Sequence, residues 1–122
     1  DLREGMAADT YATLPFAEVM QLEAGLEYVE RVGVARIEEH LVGLARQLKE
    51  GLLKQGYTLL TPLENRSAIV TVRTKRESKE LGEALAKARI DVTVRESEVR
   101  VSPGIFNTSD DVERLLRFGG GL

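Results

Sequence analysis

Apolar residues recur at helical spacing through the first half of the chain and at strand spacing through much of the second. Val19, Leu22, Leu26 and Val29 fall three and four apart, which lines one face of a helix. Pro15 suits the first helical position, with Thr13 or Leu14 ahead of it as cap. Gly33 supplies the stop, because glycine takes the left-handed conformation at little cost. A second helix follows at once. Val34, Ile37, Leu41, Leu44, Leu48 and Leu52 form its apolar stripe, Glu38, Glu39, Arg46, Lys49 and Lys54 its polar side, and Gly56 its end.

The period then changes. Tyr57-Thr58-Leu59-Leu60 is a short strand candidate, Pro62 and Asn65 mark a loop, and the β-branched run from Ser67 to Arg73 reads as a strand. Thr74-Lys75-Arg76-Glu77 has the form of a capping box, opening a third helix that turns Leu81, Leu85 and Ala88 inward. The segments 91–95 and 98–102 alternate polar and apolar positions across a two-residue link, a hairpin with one buried face. Ser102-Pro103-Gly104 breaks the second strand. Asn107 to Asp111 is dense in capping groups and acids, which suits the start of a last helix carrying Val112, Leu115, Leu116 and Phe118. The expected fold is α+β: an antiparallel sheet of about four strands with helices packed on one face, preceded by two long helices that cross that face.

Composition narrows the chemistry. The chain has 122 residues, enough for one domain with a core. With no cysteine, disulfides, zinc fingers, iron–sulfur ligation and thiol nucleophiles fall away. The lone histidine, His40, argues against a histidine-based metal site, and no metal site is expected. A net charge of -3 argues against a nucleic-acid partner. No apolar run approaches the ~20 residues of a membrane span, so no membrane partner is expected. The start is polar and unlike a signal peptide, and a cytoplasmic setting is the expectation. The chain does not begin with Met, and a piece of something longer is expected.

Few residues stand out as chemistry. Glu38 and Glu39 are adjacent on a helix and point roughly 100° apart, so they cannot converge on one substrate. No partner is spaced to orient His40 as a base. The lysines, Lys49, Lys54, Lys75, Lys79 and Lys87, fall on polar faces or helix starts, not in the desolvated pocket that a Schiff-base lysine needs. Arg100 is different. It lies mid-strand between Val99 and Val101, just before a chain break and a helix start, with Arg95 on the preceding strand. A guanidinium on a rigid strand can clamp a carboxylate with two parallel hydrogen bonds. The same position also suits an ordinary cross-strand charge.

The run from Val99-Arg100-Val101-Ser102 through Phe106-Asn107-Thr108 to the acidic helix start at Asp110-Asp111 resembles the C-terminal signature of class V aminotransferases. These are pyridoxal-phosphate enzymes that include cysteine desulfurases, selenocysteine lyases and epimerase-like proteins. Ala12-Thr13-Leu14-Pro15-Phe16 and the helix after it resemble the family's Gly-Thr-Pro stretch, and Arg66 to Val70 resembles the strand entering its small domain. The resemblance implies that residues 15–118 are the small C-terminal domain, that 1–14 are an arm or the tail of a missing large domain, and that 119–122 are a flexible tail. It implies substrate-carboxylate binding by Arg100 and contact of Thr13 with the cofactor phosphate of the other subunit. It implies an amino-acid-like substrate, a homodimer, and a pyridoxal-phosphate-binding large domain in the same chain, with no cofactor held by this piece alone. Amino transfer, lyase and epimerase reactions all fit. Two departures matter. Ala12 stands where the family has glycine, and the short link between Val94 and Val99 has no sulfur-accepting cysteine, so a persulfide mechanism is not supported. On the residues alone, a free-standing ligand-binding or regulatory α+β module, or a protein-interaction domain using the long helices, remains open.

Overall fold

The computed structural model describes residues 15–118 and residue 122. It divides into two compact units, one ending at Arg36 and one spanning Ile37–Leu122. In the first unit, helix α1 covers Phe16–Val32. Pro15 stands one place before the helix, as its N-cap residue, not at the first helical position. Gly33, with φ 93°, closes the helix by donating its N–H to the Val29 carbonyl at 2.9 Å. None of the α1 residues is buried.

Helix α2, Val34–Lys54, starts in the first unit and runs through the second. Strand β1 is Val70–Arg73, helix α3 Ser78–Lys87, strands β2 and β3 Thr93–Arg95 and Glu98–Val101, and helix α4 Ser109–Phe118. The sheet is antiparallel with order β1-β3-β2. Where about four strands are expected, three form among the described residues. The fourth candidate, around Leu59, is reduced to one bridge with Val72, although Leu60 N–H also reaches the Thr71 carbonyl at 2.8 Å. The whole order is otherwise the expected α+β arrangement.

The alternating pattern decides the core. Val70, Val72, Val99 and Val101 point to one face of the sheet. Against them lie Leu44, Ala45, Leu48 and Leu52 of α2, Leu81 and Leu85 of α3, and Val112 and Leu115 of α4. Leu122, expected in a flexible tail, is buried with this cluster. Residues 119–121 lie outside the described residues.

Two helix ends show the same device with different residues. After α2, Gly56 takes φ 82°, while Tyr57 N–H returns to the Leu52 carbonyl and Gly56 N–H to that of Leu53. After α3, Ile90 N–H returns to Leu85 and Arg89 N–H to Ala86, but the left-handed position, φ 54°, is held by Arg89. Arginine pays a steric cost there that glycine avoids.

The start of α3 corrects the expected capping box. The helix begins at Ser78, and the cap is Glu77, whose carboxylate accepts the Glu80 N–H at 2.9 Å. The Thr74 hydroxyl serves a separate turn, accepting Arg76 N–H at 3.1 Å. Two backbone N–H donors hold the Glu77 carboxyl below its ordinary titration range, the Glu80 amide most and the Lys79 amide next.

Candidate functional site

Strand register builds the site. β3 is the central strand, and Arg100 lies near its middle, with Thr71 opposite on β1 and Thr93 opposite on β2. Because Val99 and Val101 are buried, Arg100 points to the face opposite the one that α2, α3 and α4 cover, and it is exposed. One row toward the hairpin, Glu98 stands between Arg73 and Arg95. That face thus carries three guanidiniums around one carboxylate. Among the described residues, none of the three arginines joins an ion pair.

Arg73 escaped the sequence reading. The signal was present in the parity of Val70-Thr71-Val72-Arg73, whose polar positions share a face, but only the register with Glu98 puts that face beside Arg100. The link between β2 and β3 is the two-residue turn Glu96-Ser97, and it carries no cysteine.

The chain just beyond Arg100 is fastened by hydrogen bonds. Asn107 Oδ1 accepts the Gly104 N–H at 2.8 Å, and Asn107 N–H returns to the Gly104 carbonyl at 3.0 Å. Asp111 accepts the Thr108 N–H at 2.9 Å and, at 3.3 Å, the Asn107 side-chain amide, which supplies the carboxylate half of a capping box at the start of α4. These donors, the Thr108 amide first and the Asn107 amide next, hold the Asp111 carboxyl below its usual value. Asn107 and Thr108 therefore do structural work. His40 gains the partner that sequence spacing did not supply: its Nε2 donates to the Asn107 carbonyl at 2.9 Å, tying α2 to the loop that follows β3.

Lys49 corrects the expectation of a polar-face lysine. It is 2% exposed, and its Nζ donates to the carbonyls of Asn65, Leu63 and Pro62 at 2.6, 2.9 and 3.3 Å. All three ammonium protons are used to hold the 62–65 loop. Lys54, Lys75, Lys79 and Lys87 are exposed. No lysine among the described residues therefore sits free in a desolvated pocket, and they do not form a Schiff-base site for an aldehyde cofactor.

A cleft of about 140 Å³ lies on the helix side of the sheet, floored by Leu48, Val101 and Leu115 and rimmed by Arg89, Asp91 and Arg114. It does not include Arg100. Arg114 is engaged there with the Ala88 carbonyl. Among the described residues, no cluster of His, Asp or Glu is arranged to hold a metal ion, and no helix is long and apolar enough to cross a membrane. Thr13 lies outside the described residues.

The sequence model of the aminotransferase class-V family matches residues 7–115. No curated protein matches the chain. Among solved structures, a cysteine desulfurase from Thermococcus onnurineus NA1, determined in its apo form, superimposes with a TM-score of 0.85 at 22% identity, over 100% of this chain and 36% of that one. A NifS-like protein gives 0.75 at 18% identity, over 89% of this chain and 34% of its own. The chain thus spans about a third of the length of the structures it resembles.

Proposed function

We propose, from the premise that the chain belongs to the aminotransferase class-V family, that residues 15–118 are the small C-terminal domain of a pyridoxal-phosphate enzyme. The large domain precedes it in the same polypeptide, with residues 1–14 as the connecting arm, and the enzyme works as a cytoplasmic homodimer on an amino-acid-like substrate. In this reading Arg100 binds the substrate α-carboxylate. Thr13 reaches the cofactor phosphate of the other subunit. The observation that carries the reading is an exposed guanidinium, without an ion-pair partner among the described residues, at the middle of the central strand.

The chemistry divides accordingly. Pyridoxal phosphate, when bound, supplies the electron sink for amino transfer, elimination or epimerisation. This chain supplies orientation. A strand is a stiff base, and the Arg100 fork donates two parallel hydrogen bonds to a carboxylate, which fixes both its position and its plane. Holding that plane sets which bond at the α-carbon faces the reacting group, and such positioning lowers the barrier without any proton transfer by Arg100. The lysine that joins the cofactor comes from the large domain, since Lys49 is committed to three carbonyls. Sulfur transfer through a cysteine of this chain is not part of the proposal, because the chain has none.

The test is Arg100→Ala in the full-length enzyme. Loss of a charge-assisted, two-pronged contact costs about 2–3 kcal/mol. KM for the amino acid should therefore rise by about 30- to 150-fold, with cofactor absorbance unchanged. An unaltered KM removes the clamp. Arg100→Lys should recover only part of the loss, since a point charge cannot reproduce the fork.

A further inference from the structure

The row beside Arg100 calls for its own explanation. Arg73, Glu98 and Arg95 stand in register across all three strands, on the same face as Arg100 and one step from it toward the hairpin. Arg73 and Arg95 are exposed, Glu98 is half-buried, and no ion pair among the described residues links Glu98 to either. A single carboxylate cannot neutralise two flanking guanidiniums, and Arg100 adds a third positive charge. The face is thus locally cationic on a chain whose net charge is -3. Elsewhere some arginines are paired: Arg46 meets Glu50, Arg66 meets Glu38, and Arg117 meets Glu113. Others, such as Arg31, Arg36 and Arg89, join no ion pair among the described residues; this face differs in gathering three of them on one sheet surface. Guanidiniums gathered on one rigid surface sum to a field that attracts anions from solution.

We infer that the Arg73–Glu98–Arg95 row is a second anion subsite, so that the face takes an amino acid whose side chain ends in an acidic group. The inference rests on the reading of Arg100 as the α-carboxylate clamp. Same-face neighbours along a strand are about 6.7 Å apart, and arginine arms are long enough to close on a ligand shorter than that span. The α-carboxylate sits on Arg100. The side-chain acid lies over the next row, between Arg73 and Arg95, and Glu98 sets the limit. Glu98 repels an anion from direct contact with itself, so the group is held above it by the two flanking guanidiniums together. A carboxylate, a sulfinate and a phosphate ester share the chemistry that this row would recognise.

The test compares two ligands of the same shape. L-Glutamate and L-glutamine differ in the side-chain charge and share the α-carboxylate. Binding to the isotope-labelled chain is followed by NMR, through the backbone amides of β1, β2 and β3 and the arginine Nε–H signals, at constant ionic strength. Two exposed ion pairs together contribute about fivefold in affinity, so glutamate should bind about fivefold more tightly than glutamine. In Arg73→Gln and in Arg95→Gln the gap should shrink toward twofold, with the rest of the spectrum unchanged. Equal affinities, both abolished by Arg100→Ala, overturn the second subsite and leave the clamp standing. Failure of either ligand to move the Arg100 signals overturns both. Inorganic phosphate matching glutamate in affinity and in the signals it shifts, with no dependence on Arg73 or Arg95, shows general attraction of anions and also overturns the inference.

Discussion

Replacing Lys49 by methionine tests the claim that a buried ammonium is a structural clasp. Methionine keeps most of the unbranched stem and its packing while removing the charge and all three donors. In the native chain Nζ reaches the Asn65 and Leu63 carbonyls at 2.6 and 2.9 Å, and Pro62 more weakly at 3.3 Å. A hydrogen bond from a charged donor is worth about 1.5–3 kcal/mol net, so the two short bonds contribute about 3–6 kcal/mol. Two effects offset this. The native state carries the dehydration of a 2% exposed ammonium, which methionine relieves. The loop residues Pro62, Leu63 and Asn65 are themselves exposed, so water can reach their freed carbonyls. The expected net loss is about 2 kcal/mol, a fall in Tm of roughly 10 °C for a domain of this size. Urea unfolding followed by circular dichroism measures it, and amide exchange should rise first around residues 62–67. Lys54→Met, at an exposed site, should stay within about 0.5 kcal/mol of the parent. A Lys49→Met protein as stable as the parent refutes the clasp. The buried charge would then be a net liability tolerated for another reason.

Other perturbations address other links. Arg89→Gly should stabilise the domain by about 1 kcal/mol, because it removes a side chain from a left-handed position; a loss on thermal unfolding contradicts the strain argument. A Cβ on Gly51 would come within 2.4 Å of Leu116 Cδ1, whereas one on Gly43 meets nothing within 4 Å. Gly43→Ala should therefore gain up to about 1 kcal/mol from helix propensity, while Gly51→Ala should lose about 1 kcal/mol once overpacking exceeds that gain. The two substitutions are compared by urea midpoint, and a matching gain at both sites refutes the α2–α4 contact. Asp111 has a lowered folded-state pKa, so its contribution is full above the ordinary carboxylate range and is lost as pH falls through the lowered value. Asp111→Asn should accordingly melt below the parent at neutral pH, with the gap closing in strong acid. A gap that stays constant with pH removes the charge from the cap.

The sequence by itself determined the helices and the three strands that form, though not the reduction of the segment around Leu59 to a single bridge. The spacing of Leu44, Leu48 and Leu52 is local, as is the alternation in 98–101, and periodicity reports such local geometry directly. It also determined that Arg100 faces away from the core, because a strand with Val99 and Val101 buried leaves its neighbour no other side. Tertiary structure decided everything that depends on pairing between distant segments. Which arginines stand beside Arg100 follows from the register of three strands, set by the core valines and the turn at Glu96-Ser97, and no single segment contains it. Lys49 read as surface because its partners are backbone carbonyls of a loop, and carbonyl positions leave no trace in residue identity. The Glu77 cap and the left-handed Arg89 were hidden for a related reason. Each departs from the residue type that local preference favours at its position, so residue identity did not announce it.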